Sequence, residues 1–188
     1  MRRRESTSRR VSPKRRYTVL VYCGAARTEP DYFNGLKRHL RSQTVTVKIR
    51  YDGVAPKQLV RIAATYRDKT PGAYDEVWCV VDTDEFDIDA ALAEARRRGV
   101  SLAVSNPCFE LWLLLHHDKC TSHCTGYADV AGRLRKHVPG YDKARLDFAD
   151  YAAGVDDATA RAKALGVDHA VNPSTGVWRL VETIREKP

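Results

Sequence analysis

The feature that most constrains this chain is an apolar run that ends in a cluster of acids. The run is Val77-Trp78-Cys79-Val80-Val81, and Asp82-Thr83-Asp84-Glu85-Phe86-Asp87 follows it directly. A run with almost no polar alternation is typical of a strand buried on both faces, as in a parallel sheet covered by helices. The acids then leave the sheet at its carboxyl edge, where open α/β sheets bind their ligands.

These acids have two interpretations. Asp82 and Asp84, at positions i and i+2, can both point at one hard divalent cation. Alternatively, acids begin turns and cap helices, and Asp87 is well placed to cap a helix that begins at Ile88. Capping accounts for one or two acids but not for the five between residues 82 and 89, which repel one another unless a cation or basic groups offset their charge. The sequence therefore favours a divalent-metal site.

The basic charge of the chain is concentrated at its start. Residues 1–16 carry eight Arg and Lys side chains against one acid, and so hold most of the net charge of +8. Ser and Thr are interspersed, and such a segment cannot bury a core, so we expect a disordered basic tail before a single domain over residues 17–188. The tail, which ends at Arg15 and Arg16, is either an electrostatic arm for nucleic acid or a solubilising leader without a specific partner.

Two further features concern the cellular compartment. No run approaches the ~20 apolar residues that span a bilayer, and the apolar stretch after the tail is short and contains Tyr, which disfavours a signal peptide. The cysteine count is five, an odd number without a disulfide framework. We therefore expect a cytoplasmic protein with reduced thiols and no membrane association.

Strand and helix patterns alternate up to residue 105. Strands are predicted at 17–23, 44–51, 77–81 and 100–104, and helices at 29–41, from 56, and at 88–98. Thr28 and Asp87 are predicted N-caps and Gly99 a C-cap. The order βαβαβαβ predicts a mainly parallel sheet. Residues 106–188 are predicted to form a helical part packed on the sheet, with helices at 107–116, 127–138, 143–153, 157–165 and 174–186.

Three stretches, one after each of three predicted strands, carry a more specific signal. They are Cys23-Gly24-Ala25-Ala26-Arg27-Thr28-Glu29, the acidic stretch Asp82 to Asp87, and Asn106-Pro107-Cys108-Phe109-Glu110-Leu111-Trp112-Leu113-Leu114. In this order and spacing they resemble the RloB (AbiLii-like) family of bacterial restriction-linked and abortive-infection proteins. The resemblance covers most of residues 17–185 and includes Asn172-Pro173-Ser174-Thr175.

The resemblance implies a fold and a function. The family is similar to the Toprim fold, a Rossmann-like α/β domain with flanking helices. It implies a nuclease of antiphage defence in which a glutamate after the first strand performs acid–base chemistry and an Asp-x-Asp pair binds Mg²⁺ or Mn²⁺. Asp82 and Asp84 match that pair. It also implies DNA or RNA as partner and an ATPase encoded nearby, and leaves a homo-oligomer open.

The chain departs from the family at its glutamate. The usual pattern reads Cys-Glu-Gly, whereas this chain has Gly24 and Ala25 at those positions. Either Glu29, one turn further on, supplies the missing carboxylate, or the domain binds nucleic acid without cutting it. Glu29 also has a structural interpretation, because acids are favoured at helix N-termini by the helix dipole.

Glu110 is the other carboxylate of interest. It lies in the first turn of an otherwise apolar helix, which must be buried nearly all round. A carboxylate there is costly unless it is paired or metal-bound, so Glu110 is either a third metal ligand or a plain first-turn acid. Asn106 is expected to cap this helix or to contact substrate, with capping preferred, and Asn172 to have a substrate or structural role.

Two remaining groups are weaker candidates. Arg15, Arg16, Arg27 and Lys37 are candidate nucleic-acid contacts, although a solvated basic surface is the default. The cluster His116, His117, Cys120, His123 and Cys124 lacks the second ligand pair of a zinc site, and a polar loop is the preferred interpretation. Two function classes therefore stay open: a Mg²⁺-dependent nuclease, and a catalytically degenerate nucleic-acid-binding or sensor subunit of a defence complex.

Overall fold

The computed structural model describes residues 15–41, 45–83 and 86–186. The strands are β1 (Tyr17–Cys23), β2 (Val45–Tyr51), β3 (Glu76–Asp82), β4 (Ser101–Asn106) and β5 (Ser174–Thr175). The helices are α1 (Thr28–Leu40), α2 (Pro56–Asp68), α3 (Ile88–Arg98), α4 (Glu110–Leu115), α5 (Tyr127–Leu134), α6 (Val155–Leu165) and α7 (Val177–Glu186). The predicted tail before Arg15 and the acids Asp84 and Glu85 lie outside the described residues.

The strands form one sheet in the order β2-β1-β3-β4-β5, in which only β5 is antiparallel. The α/β prediction is therefore confirmed, with a Rossmann-like, mainly parallel sheet. The chain leaves β1 towards β2 on one side and returns from β2 to β3 on the other. The strand order thus reverses between β1 and β3, and the crevice at such a reversal is where open α/β sheets bind ligands.

Two apolar cores lie on opposite faces of the sheet because side chains alternate along each strand. On β1, Val19 and Val21 face one core, and Leu20 and Tyr22 face the other. The second core is closed by α2 and α3. The first core is larger and is closed by α1 together with the helices after residue 106. The helical part therefore packs on the sheet as predicted.

Several predicted boundaries need correction. The helix expected at 143–153 is wrong: this stretch forms turns and two short 3₁₀ helices, Phe148–Asp150 and Ala152–Gly154. Ser174 and Thr175 are not helical but pair with Asn106 and Ser105 of β4, so the helix there begins at Val177. The helical pattern is weak at residues 143–153 and at residues 174–175, and contacts with distant elements decide the structure there.

The predicted helix caps Asp87 and Gly99 are confirmed, and the predicted cap Thr28 is not. The Asp87 side chain accepts a hydrogen bond from the Ala90 backbone N–H at 2.9 Å, and Gly99 ends α3 with a positive φ, as expected. The Thr28 cap is wrong, because Thr28 is already the first residue of α1 and its hydroxyl donates to the backbone carbonyl of Lys143 at 3.0 Å. That contact joins the start of α1 to a residue 115 positions later, next to the candidate site.

In the described parts of the chain, no helix has the length and apolar character needed to cross a membrane.

Candidate functional site

A cleft of about 140 Å³ opens at the carboxyl edge of the sheet, at the reversal between β1 and β3. Its lining includes Gly24 and Glu29, which follow β1, Asp82 at the end of β3, and Lys143 from the helical part. The remaining lining residues are Ala25, Val54, Pro56, Val81 and Phe86. Parallel strands place their carboxyl ends at one edge, which is why side chains that are far apart in sequence meet here.

Glu29 is buried at this cleft, with only 4% of the residue exposed. The pKa of its carboxyl is raised from 4.5 to about 7, mainly by burial. The nearby Glu110 charge also raises this pKa, whereas its own backbone N–H and Lys143 lower it. Within the described residues, its Oε2 atom has no hydrogen-bond partner. The raised pKa makes Glu29 an acid that can exchange a proton near neutral pH, and its place in the first turn of α1 also suits the helix dipole.

Glu110 lies at the start of α4 and is 1% exposed. Its Oε1 accepts a hydrogen bond from the Tyr141 hydroxyl at 2.8 Å and lies 4.0 Å from the Lys143 ammonium. Its Oε2, like that of Glu29, has no hydrogen-bond partner in the described part of the chain. A buried carboxylate normally satisfies both oxygens, so this half-satisfied pair of acids is the unusual feature of the site.

Lys143 is a site residue that the sequence reasoning missed. Its side chain is about half exposed, and its backbone is held by the Thr28 hydroxyl. Burial lowers the pKa of Lys143, but the carboxylates of Glu110, Asp82 and Glu29 outweigh it, so the pKa lies above its ordinary value. One ammonium thus faces carboxylates from α1, β3 and α4.

Asp82 is half-buried at the end of β3, on the cleft wall. The structure brings Glu29 and Asp82 to one cleft and places Glu110 beside it, which agrees with their predicted neighbourhood. Asp84, the second member of the predicted pair, lies outside the described residues. Among the residues that are described, no three His, Cys, Asp or Glu side chains form a metal-binding group.

A scan of protein-family models matches residues 19–184 to the family described as RloB-like protein. The chain belongs to the RloB-like family. This match covers the sheet, the cleft and the helical part together. No curated protein and no solved structure matches the chain.

Gly24 occupies the position at which the resemblance implied a glutamate. It lines the cleft, and its backbone N–H donates to the carbonyl of Val80 at 3.1 Å. A Cβ atom added at Gly24 would meet only that carbonyl oxygen, at an ordinary 3.5 Å. The backbone therefore leaves room for a Cβ atom at this position, so the fold does not require glycine there on steric grounds at the Cβ.

The four predicted nucleic-acid contacts divide between the two edges of the sheet. Arg27 immediately precedes α1 and shares an open cleft with Thr28 and Lys143, beside the acidic site. Arg16 and Lys37 line a cavity at the amino edge, and Arg15 pairs with Asp75 at 3.0 Å on the same edge. A strand of seven residues separates the two edges by roughly 20 Å. The structure thus brings only Arg27 near the carboxylates.

Asn106 and Asn172 both have structural contacts. The Asn106 side chain donates to the backbone carbonyl of His169 at 2.7 Å, and α4 begins only at Glu110, so the predicted cap is wrong. Asn106 is the last residue of β4 and is too far from α4 to cap it. The Asn172 side chain bonds both backbone groups of Cys124, each at 2.9 Å, and so holds the segment between α4 and α5.

The segment after α4 is more buried than a polar loop. His116, Cys120 and Cys124 are each less than 5% exposed, which corrects the preferred interpretation for these three residues. His116 bonds the Tyr32 hydroxyl and the Trp112 carbonyl, and burial lowers its pKa to about 3. It is a neutral core histidine. All five cysteines are free thiols in the structure.

Proposed function

We propose that this RloB-like protein is a metal-dependent nuclease that cleaves phosphodiester bonds in DNA or RNA at the cleft between β1 and β3, in antiphage defence. The observation that carries the proposal is the pair of buried carboxylates, Glu29 and Glu110, each with one oxygen that has no hydrogen-bond partner among described residues. Both oxygens lie at or beside the switch point of the sheet, next to Asp82. Structural acids are rarely left in this state.

A Mg²⁺ or Mn²⁺ ion fits the chemistry of these donors, because hard divalent cations prefer carboxylate oxygens. Asp82 and Asp84 would hold the ion, and the unpartnered Oε2 of Glu110 is the third candidate ligand. When bound, such an ion lowers the pKa of water and offsets the negative charge that develops on a phosphate under attack. A cation would also offset the mutual repulsion of the acids, which Lys143 alone cannot neutralise.

Glu29 is the proposed proton carrier. In hydrolysis, a bond forms between a water oxygen and phosphorus, the bond to one bridging oxygen breaks, the water loses a proton, and the leaving oxygen gains one. A carboxyl with a pKa of about 7 is partly protonated near neutral pH and can give its proton to the leaving oxygen. Glu29 would thereby replace the glutamate that is missing at position 24.

The first test is incubation of the purified protein with labelled single- and double-stranded DNA and with total tRNA, plus Mg²⁺ or Mn²⁺. The control is the double variant Asp82→Ala/Asp84→Ala. We expect metal-dependent cleavage that the double variant loses and that Glu29→Gln reduces by roughly 10²–10⁴-fold, the usual contribution of a general acid. Equal cleavage by wild type and double variant would indicate a contaminating nuclease and would contradict the proposal.

Gly24 favours a second candidate function. With no carboxylate at this position of the cleft wall, the protein would bind nucleic acid as a sensor subunit of a defence complex without cutting it. The assay would then show binding and no product, also when an ATPase encoded beside the gene is added. Gly24→Glu separates the two functions, because a Cβ atom there meets only the Val80 carbonyl oxygen, at an ordinary 3.5 Å. Cleavage gained by this variant alone would identify a degenerate enzyme.

A further inference from the structure

The Lys143 ammonium faces buried acids without a direct hydrogen bond to the nearest of them. Its nearest carboxylate oxygen, Oε1 of Glu110, lies at 4.0 Å, beyond the 2.7–3.2 Å of a hydrogen bond. An ammonium carries three N–H donors, and no described side chain accepts a hydrogen bond from it. Its other close neighbour is the ring of Tyr127, whose centroid lies 4.7 Å away.

The backbone of Lys143, by contrast, is firmly placed. The Thr28 hydroxyl holds its carbonyl, and Tyr141, two residues earlier, is bonded to Glu110. Asp142 accepts a hydrogen bond from the backbone N–H of Ala144 at 2.9 Å, which fixes the turn. A fixed backbone that carries a half-exposed cation, with no short contact to a carboxylate, can present that cation to an anion that arrives from solvent.

The position of Lys143 points to the same group. Its side chain lines the acidic cleft with Glu29 and Asp82, and also the adjoining open cleft with Arg27. An anion that extends from the open cleft to the acids would therefore lie near this ammonium. A nucleic-acid backbone is a polyanion of this kind, and Lys and Arg supply most of the affinity for it.

We propose that Lys143 binds a non-bridging oxygen of the phosphate that is cut, with Arg27 binding the next phosphate along the strand. This inference rests on the proposed nuclease function and names the residue with which that site recognises its substrate. The phosphate oxygen would accept the hydrogen bonds that Glu110 leaves unused, and the negative charge that develops during attack would lie beside a fixed cation. Lys143 is then a catalytic residue, because it touches the reacting group.

The competing explanation is that Lys143 only neutralises Glu110. The test compares Lys143→Met and Lys143→Arg with Arg145→Met in the full-length protein. Arg145 is the matched control because it lies on the same turn, its side chain is 87% exposed, it pairs with Asp142 at 3.6 Å, and it does not line the acidic cleft. Thermal melts of all variants establish that each one folds.

We expect Lys143→Met to lower kcat/KM by at least about 100-fold, with most of the loss in kcat, and Lys143→Arg to restore part of it. Arg145→Met should cleave like wild type. Equal losses for Lys143→Met and Arg145→Met would show only non-specific attraction and would overturn the proposal. So would unchanged cleavage by Lys143→Met.

A second measurement keeps the two proposals apart. Binding of two short labelled oligonucleotides is measured in EDTA. One is unmodified, and the other carries a neutral methylphosphonate in place of the phosphate at the linkage where cleavage has been mapped. The losses caused by Lys143→Met and by the methylphosphonate should not add, because both remove one contact. If the wild type cuts nothing, the nuclease proposal fails, and a methylphosphonate walked along the oligonucleotide still tests the contact. If the binding losses caused by Lys143→Met and by the methylphosphonate add at every linkage, the proposed contact between Lys143 and a phosphate is refuted.

Discussion

Two buried glutamates of this protein, Glu94 and Glu29, have pKa values shifted in opposite directions. Glu94 on α3 is 7% exposed, and Arg98, Arg97 and Arg61 bond it at 2.6, 2.7 and 3.1 Å. These guanidinium groups lower its pKa to about 2. Glu29 is about as buried, but it has no arginine partner among the described residues, and burial raises its pKa to about 7.

The difference separates an acid whose charge is stabilised by the fold, Glu94, from one whose charged form the fold penalises, Glu29. Arginine partners stabilise the charged form of Glu94, whereas desolvation penalises the charged form of Glu29. A fold keeps a penalised group only where another interaction offsets the penalty. The crevice between β1 and β3 is such a place under the proposed function, because a cation and a phosphate that bind there would come from solvent.

The largest stability effect should come from Glu29→Gln. Because the folded-state pKa is raised from 4.5 to about 7, the penalty is absent below about pH 4.5, grows as the pH rises, and is complete above about pH 7. We expect the variant to be more stable than wild type by about 3 kcal/mol at pH 8 and equally stable at pH 4. Urea titrations in EDTA at both pH values measure this. A variant that is less stable at pH 8 would contradict the comparison.

A smaller effect should follow from Tyr141→Phe. The change removes the hydroxyl that donates to Glu110 and leaves that buried carboxylate with less support. We expect a loss of about 2 kcal/mol, the usual value for a hydrogen bond to a charged group. Tyr151→Phe is the control, because the Tyr151 hydroxyl is buried and has no hydrogen-bond partner among described residues. Equal losses for the two variants would mean that the Glu110 contact contributes nothing.

The smallest effect should come from Glu94→Gln, because its arginine partners are partly exposed and solvent screens such pairs. The lowered pKa of Glu94 contributes stability that is complete above about pH 4.5 and is lost as the pH falls towards 2. The melting temperature of the variant should therefore lie below that of wild type at pH 7, and the difference should shrink between pH 4.5 and 3. A constant difference would exclude the ionised carboxylate as its source.

The sequence predicted the sheet and the three carboxylates because both depend on local patterns. An apolar run, a strand–helix alternation and the shared edge of parallel strands suffice to place Glu29, Asp82 and Glu110 close together. The RloB-like resemblance rested on the same stretches. The predicted roles of these residues stay predictions, as does the Mg²⁺ ion.

Lys143 and Tyr141 escaped prediction because tertiary contacts decide the structure around them. The pattern at 143–153 suggested a helix, yet Phe148 packs so closely on α1 that a Cβ at Gly35 would lie 2.2 Å from its Cβ. One signal was available: a glycine in the middle of a helix costs about 1 kcal/mol relative to alanine and often marks the close approach of another element. Gly35 therefore pointed to a packed segment, although not to which one.

The bond between Thr28 and Lys143 also bears on the order of events during synthesis. The four parallel strands, with Glu29 and Asp82, leave the ribosome before Glu110 and Lys143. The helices that close the larger core on one face of the sheet also come after residue 106. The cleft can therefore be completed only late in synthesis, when residue 143 packs against Thr28, and a chain that stops before residue 143 would lack this part of the cleft wall.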